Sequence, residues 1–331
     1  MSIGNKKELV FSGVQPSGAQ VHLGNYLGAM KRFVTLSQTT DTIVCIVDLH
    51  ALTRVESAEE LASFSRSLAA AYLAIGMDPK RAIIFRQSDV NEVCELCWYL
   101  SCQFPLGLLE RAHALKDARA KNMTVNSGLM FYPILMAADI LLYKATKVPV
   151  GADQKQHLEM TREVAEKFNA RFGHVFPLPE PLIEESTGVI VGLDGRKMSK
   201  SYDNYIGLFE AADMVKKKIS QIVTDSKGVA EPKDPDTCNV FKLYRLFATA
   251  AETTSLAERY RAGGFGYGHA KQELFTVIER TISPLRTNYE DWMKRPDELT
   301  EILRDGAARA RKIGQETIRE ARIAQGIGPE L

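Results

Sequence analysis

The sequence lacks an excess of charge of either sign: 42 Lys and Arg stand against 41 Asp and Glu, a formal net charge of +1. The total therefore reveals no pull toward nucleic acid, and composition by itself names no partner. Cysteine is scarce and odd in number, five in 331 residues. That excludes a disulfide framework and suits free thiols in a reducing compartment. No apolar run approaches the roughly 18 to 20 residues that a membrane helix needs. The N-terminus, MSIGNKKELVFSG, lacks an apolar h-region ahead of a small-residue cleavage site, and Glu8 sits where a transit peptide avoids acid. A cytoplasmic protein is expected. Neither an internal repeat nor a low-complexity tract is found. What remains is an average globular composition, 45% hydrophobic and 25% charged, at a length that suits about two domains.

What is present is alternation. Short apolar runs at 9–12, 42–47, 82–85 and 148–150 each precede longer amphipathic sequence, the pattern of a parallel sheet with crossover helices. The helix after the second run opens on Ser57-Ala-Glu-Glu60, a capping box, and closes at Gly76 with Pro79 beyond it. The polar stretch from Leu115 to Asn126 reads as a mobile loop of the kind that covers sites, ahead of a helix with Pro133 in its first turn. Beyond Asn204 the alternation gives way to successive amphipathic helices. Two domains are expected: 1–204, an α/β domain with a Rossmann-like parallel sheet, and 205–331, all-helical, with a last helix able to pack back on the first domain. Each part is close to charge balance. On the last helix, at about 100° per residue, Arg304, Arg311, Lys312, Arg319 and Arg322 share one arc, while Leu303, Ala310 and Ala321 face a core. Glu301 and Asp305 lie in the basic arc too, so it reads either as a solvated face or as a nucleic-acid surface.

After the first strand comes Gly13-Val-Gln15-Pro16-Ser17-Gly18-Ala-Gln-Val-His22-Leu-Gly24-Asn25, then a helical run. It is neither a dinucleotide fingerprint nor a P-loop. Glycines there let backbone approach a ligand closely, and a helix N-terminus offers unpaired N–H groups to anions. Alone, the turn is as readily structural as functional, and His22 is more often a hydrogen-bonded turn histidine. A second cluster, Gly195-Arg196-Lys197-Met198-Ser199-Lys200-Ser201, sets two lysines three apart among hydroxyls. It makes a small cationic loop able to close on a phosphate chain. Lysine-rich loops are usually just solvated; the complete string KMSKS is far more specific.

Together, His22-Leu-Gly-Asn25 and KMSKS, each at the mouth of the expected sheet, resemble the paired HIGH and KMSKS signatures of class I aminoacyl-tRNA synthetases. FSGVQPSG from Phe11, CIVDLHALT from Cys45, MAADILLY from Met136, VPVGADQKQHLEMTREVAEKFN from Val148 and IVTDSKG from Ile222 narrow the resemblance to the tryptophanyl-tRNA synthetase family over most of the chain. Asn25 stands for the second histidine of HIGH, as is common in that family. The resemblance implies activation of tryptophan with ATP, by attack of the carboxylate on the α-phosphate, and transfer to tRNA(Trp). It implies a homodimer, and Mg2+ carried by ATP rather than by protein ligands. It further implies that Gln15, Pro16, Ser17, His22, Gly24, Asn25, Gly151, Ala152 and Asp153 flank ATP, with the backbone near Ile190 at adenine. Lys197, Met198, Ser199, Lys200 and Ser201 would close on the triphosphate, with Lys197, Lys200, Ser201 and His22 catalytic. Asp153 also reads as an N-cap. Lys116, Arg119 and Lys121 are all available to meet the triphosphate, and the sequence does not choose among them.

An indole N–H only donates, so a tryptophan slot needs one acceptor in apolar walls. Asp139 in MAADILL fits, and an acid in so apolar a run requires a partner if buried. The alternative is a solvent-facing acid on an amphipathic helix. By the same resemblance Phe11, Gly13, Gln15, Tyr132, Met136, Val148 and Val150 line the slot, with His50 and Gln154 near the amino group. Cys94-Glu-Leu-Cys97 with Cys102 is a single CxxC in an apolar helical context and reads as buried, packed thiols rather than a metal site. The glycine-rich stretch Gly263 to Gly268 reads as a loop between helices. The alternative readings are a tyrosine-specific synthetase of the same fold and a non-catalytic RNA-binding paralogue; intact His22, Lys197 and Lys200 argue against the paralogue.

Overall fold

The computed structural model describes residues 8–16, 21–55, 57–112, 115, 116, 118, 125–149, 151, 154–182 and 189–328. The run DTIVCI forms β2 (Asp41–Ile46), an interior strand of a sheet, buried from Thr42 onward as a strand covered on both faces must be. β1 (Leu9–Val14) and β3 (Ile83–Arg86) flank it, and β4 (Lys147–Pro149) and β5 (Glu180–Leu182) extend the far side. All neighbours are parallel in the order β3-β2-β1-β4-β5. The strand order reverses at β1, so a crevice opens beyond the C-terminal ends of β1 and β4, where open α/β sheets take ligands.

The crossover helices follow the punctuation. Ala58–Ile75 starts where the Ser57 hydroxyl accepts the Glu60 N–H at 3.3 Å and stops at Gly76, left-handed at φ 108°. Ser127–Leu142 corrects one expectation: Asn126 caps it, accepting the Leu129 N–H at 2.8 Å, so Pro133 lies inside the helix rather than in its first turn. Most of the stretch expected to be a mobile loop lies outside the described residues. After Asn204 come helices Ala212–Ser220, Asn239–Tyr244, Ala250–Ala262, Tyr267–Met293 and Pro296–Gln325.

Alternation along the strands divides the core. Val10, Val44, Ile46 and Ile84 face one way, into an apolar cluster that continues through Ile219, Tyr260, Ile278 and Leu303. Phe11, Ile43, Cys45 and Phe85 face the other, toward helices Glu92–Ser101, Ser127–Leu142 and Lys155–Phe172. The C-terminal helix covers the exposed edge at β3. Leu303, Ala310 and Ala321 are buried, and Arg309 donates to the Pro79 carbonyl at 2.7 Å. The basic arc is partly consumed here: Arg322 grips Glu95 through two bonds at 2.7 and 2.9 Å, and Arg311 donates to the Asp89 carbonyl. Arg304 and Lys312 stay exposed.

Helix and sheet meet closest at Gly306, where a Cβ would overlap the Ile84 carbonyl oxygen. Alanine in a helix interior normally gains about 1 kcal/mol over glycine. Overpacking against backbone that cannot yield costs about 1 to 3 kcal/mol or more, so Gly306→Ala is expected to lower the melting temperature. Gly268→Ala, where nothing lies within 4 Å, is expected to leave it unchanged or raise it. Thermal denaturation of the two variants side by side checks this.

Candidate active site

β1 delivers Gln15 and Pro16 to the crevice, which Val21 and His22 also border. His22 is the N-cap of a helical run that begins as Leu23–Asn25, passes through a π-turn Tyr26–Met30 and continues as Lys31–Leu36. The cap is reciprocal: Asn25 N–H donates to His22 Nδ1 at 3.3 Å, and His22 N–H donates to Asn25 Oδ1 at 3.2 Å. Asn25 thus supports the histidine. Gly24 is required beside it, because a Cβ there would lie 2.9 Å from the imidazole ring. Burial, with the Lys200 charge adding to it, pushes the His22 pKa down to about 4. The ring is therefore neutral near pH 7, and since Nδ1 accepts, the proton sits on Nε2 as a donor.

Lys197 and Lys200 ride on a tight hairpin. Val191 pairs antiparallel with Lys197, Met198 N–H donates to the Ile190 carbonyl at 2.8 Å, and Gly195 makes the turn at φ 83°. Met198 is buried against the His22–Gly24 segment, which seats the loop beside the first signature. Ser199 caps a 3-10 turn Lys200–Tyr202 by accepting the Ser201 N–H at 3.2 Å. Lys197 and Ser201 are exposed; Lys200 is half-buried, and burial lowers its pKa.

A second centre lies on helix Ser127–Leu142, where Tyr132, Met136 and Asp139 share one face at i, i+4 and i+7. Asp139 is 2% exposed. It accepts from Gln87 Nε2 at 2.8 and 2.7 Å on its two oxygens and pairs with His50 Nε2 at 3.0 Å. Burial raises its pKa, while the His50 and Gln87 bonds oppose the rise and Asp48 adds to it. Gln87 is itself held by the Leu49 N–H, 3.1 Å from its Oε1. A carboxylate offers about four lone-pair sites, so capacity remains for one more donor. Tyr132 edges against His50 at 6.1 Å between ring centroids and bonds His157 Nε2 at 2.6 Å, and His157 reaches Gln154 Oε1 at 3.2 Å. Gln15, just beyond the end of β1, donates from Nε2 to the His50 carbonyl at 3.3 Å.

Residues 5–283 match the family of class I tRNA synthetases (W and Y). A tryptophan–tRNA ligase of Fusobacterium nucleatum is 46% identical over 317 residues, 96% of this chain and 97% of that one. Another, from Campylobacter jejuni, is 45% identical over 96% of this chain and 99% of its own length. This chain belongs to the class I tryptophanyl-tRNA synthetase family. The crystal structure of the Campylobacter jejuni tryptophanyl-tRNA synthetase complexed with ADP and tryptophan superposes with a TM-score of 0.92 at 44% identity, over 96% of this chain and all of that one. A tyrosyl-tRNA synthetase from Archaeoglobus fulgidus shares the fold at TM-score 0.63 and 21% identity.

On this synthetase chain, His22, Gly24 and Asn25 lie against Met198 of the lysine loop, the Met198 N–H bonds the Ile190 carbonyl, and Gln15 follows the C-terminal end of β1. Gly13 and Gly151 are exposed at strand ends, Pro16 is buried, and Gln154 is the N-cap of helix Lys155–Phe172 without a side-chain cap bond. Asp139 is no solvent-facing acid. Phe11 stacks on Tyr143 at 5.7 Å between ring centroids, and Val148 is buried at 3% exposure. His50, expected near the amino group, pairs with Asp139 through Nε2. Lys116 is exposed. Ser17, Val150, Ala152, Asp153, Arg119 and Lys121 lie outside the described residues. Cys94 and Cys102 are exposed, contrary to the packed-thiol expectation, because the helix Glu92–Ser101 turns that side outward; among the described residues no group of three His, Cys, Asp or Glu stands ready for a metal. Gln87, Asp48 and His157, which the sequence does not single out, are hydrogen-bonded to Asp139, Ser88 and Tyr132 in turn. The polar triplet Gln87-Ser88-Asp89 directly after β3 was the available signal for the first.

Proposed function

We propose that the chain activates L-tryptophan with ATP and transfers it to tRNA(Trp), and that the two centres divide this work. The observation that carries the reading is the buried Asp139, held by Gln87 and His50, with Gln15 at the end of β1 bonded to the His50 carbonyl. The carboxylate orients an indole N–H, Met136 and Tyr132 wall the ring, and Gln154 receives the amino group. The tryptophan carboxylate attacks the α-phosphate and pyrophosphate leaves, so no protein nucleophile is needed. Catalysis is then positioning plus stabilisation of phosphate charge. Lys197 and Lys200 supply mobile positive charge, Ser201 a hydroxyl, and neutral His22 a fixed N–H. This donor set suits phosphate oxygens. Asp194 beside it is engaged by Asn204 and Arg196, and the donors are mainly cations and hydroxyls, so the residues fit a Mg2+ carried by ATP, which would screen charge on the phosphates.

Helices of 205–331 would form the tRNA-binding domain and hold the anticodon, with Arg304 and Lys312 as exposed cations. A homodimer is supported by Trp98, Leu106 and Phe131, 69%, 58% and 45% exposed on three helices that pack together. No helix among the described residues is long and apolar enough to cross a membrane, in keeping with a cytoplasmic enzyme. ATP–pyrophosphate exchange assayed across all the amino acids tests the function. Exchange with tryptophan alone is expected; exchange driven by tyrosine, or by no amino acid, would overturn it.

A further inference from the structure

We infer that Asn204 is a positioning residue for adenylate formation, the clasp that sets the two lysines at a fixed distance from His22; the inference rests on the function proposed above. Asn204 lies three residues beyond the KMSKS string and is 3% exposed. Every polar position of its side chain is used on that loop. Its Oδ1 accepts the Ser199 N–H at 2.8 Å, and its Nδ2 donates to Asp194 Oδ1 at 2.7 Å and to the Lys197 carbonyl at 3.1 Å. Its backbone carbonyl accepts the Leu193 N–H at 2.9 Å. The hairpin leaves no slack around it, since a Cβ at Gly192 would collide with the Asn204 carboxamide.

The residues that follow are fastened to the other signature. Leu23 N–H donates to the Ile206 carbonyl at 2.9 Å, Leu208 N–H donates to the Val21 carbonyl at 2.8 Å, and His22 pairs with Gly207. Tyr205 sets its ring 5.8 Å from the His22 ring. Its ring also lies 4.3 Å from the Lys218 ammonium, which is anchored by an ion pair to Glu210. Segment 204–208 therefore bonds to the cationic loop at one end and flanks the histidine at the other. Freeing the loop end leaves the Ser199 N–H and the Lys197 carbonyl without their partner, and the lysines lose their register with His22. Catalysis by positioning is sensitive to such slack, because a displacement of about 1 Å can cost about 100-fold.

Asn204→Ala is expected to lower kcat for tryptophan-dependent exchange by about tenfold to 100-fold while the tryptophan KM stays near wild type; the melting temperature falls by a few degrees because the Ser199 N–H and the Lys197 carbonyl lose their partner. Hydrogen exchange at the Ser199 amide should accelerate in the same variant, a readout independent of catalysis. Asn204→Asp sets a carboxylate against Asp194 and the Lys197 carbonyl, and adding Asp194→Asn restores a donor, so the double variant should regain part of the lost kcat. Unchanged kcat, a tryptophan KM that rises in step with the fall in kcat, or a double variant no better than Asn204→Asp would each overturn the inference. The Asp series decides it alone if Asn204→Ala does not fold. Wild-type exchange measured alongside separates failure of the clasp from failure of the proposed function.

Discussion

Lys200→Ala is expected to reduce tryptophan-dependent ATP–pyrophosphate exchange by a hundredfold or more. The loss falls on kcat, because charge on the transferring phosphates peaks in the transition state and the lysine contributes most there. Removing one such donor typically costs about 3 to 4 kcal/mol of barrier, and each 1.36 kcal/mol is about tenfold in rate. Tryptophan binding should be spared, since Asp139, Gln87 and His50 form a separate centre. The variant has a second expected signature. The Lys200 charge is the lesser of the two causes that hold His22 near pKa 4, burial being the larger. Without the lysine, the folded-state pKa of His22 rises part of the way toward 6.5, and the acid limb of the rate profile moves to higher pH. Pyrophosphate exchange as a function of pH, on wild type and variant, reads both effects. Near-wild-type exchange would remove Lys200 from the chemistry.

How far the sequence exposed all this depends on whether the information was local. β2 was legible because six consecutive residues are β-branched, small or apolar, and KMSKS because its residues are contiguous. β5 was not, since a three-residue edge strand containing Pro181 carries neither a hydrophobic run nor a ladder donor at its centre. Helix Ser127–Leu142 was read from the wrong mark: Pro133 looked like a first-turn residue, while the true signal was Asn126 three residues before Leu129. The arc from Arg304 to Arg322 had the right spacing for a cationic stripe. Spacing on one helix cannot reveal that Glu95 stands opposite Arg322, because that neighbour is set by how the helix lies across β3. Asp139 was found as a buried acid in need of a partner, and it was paired, yet Gln87 stayed hidden 52 positions upstream. Partners across a parallel sheet are separated by whole crossover units, so local pattern can state that a partner must exist without naming it.

That pairing determines the second large effect. Asp139→Ala removes the only acceptor proposed for the indole N–H and also leaves the Gln87 amide and His50 Nε2 without their shared partner. A hydrogen bond to a charged group contributes about 1.5 to 3 kcal/mol, so the tryptophan KM should rise by about tenfold to 150-fold. Discrimination should suffer more than affinity. A site whose acceptor must be satisfied rejects a ligand lacking the donor by about 10⁴ to 10⁵, and with the acceptor gone that penalty on phenylalanine vanishes. The ratio of exchange rates for tryptophan and phenylalanine measures it directly. Asp139→Asn separates the two roles of the carboxylate: its carbonyl still accepts from Gln87, but its NH2 faces His50 and the indole as a donor. It should therefore fold like wild type while losing selectivity. If Gln87→Ala also raises the tryptophan KM, with the nucleotide KM unchanged, the acceptor acts only when held in place. If Asp139→Asn keeps full selectivity, the indole N–H is received elsewhere in the slot.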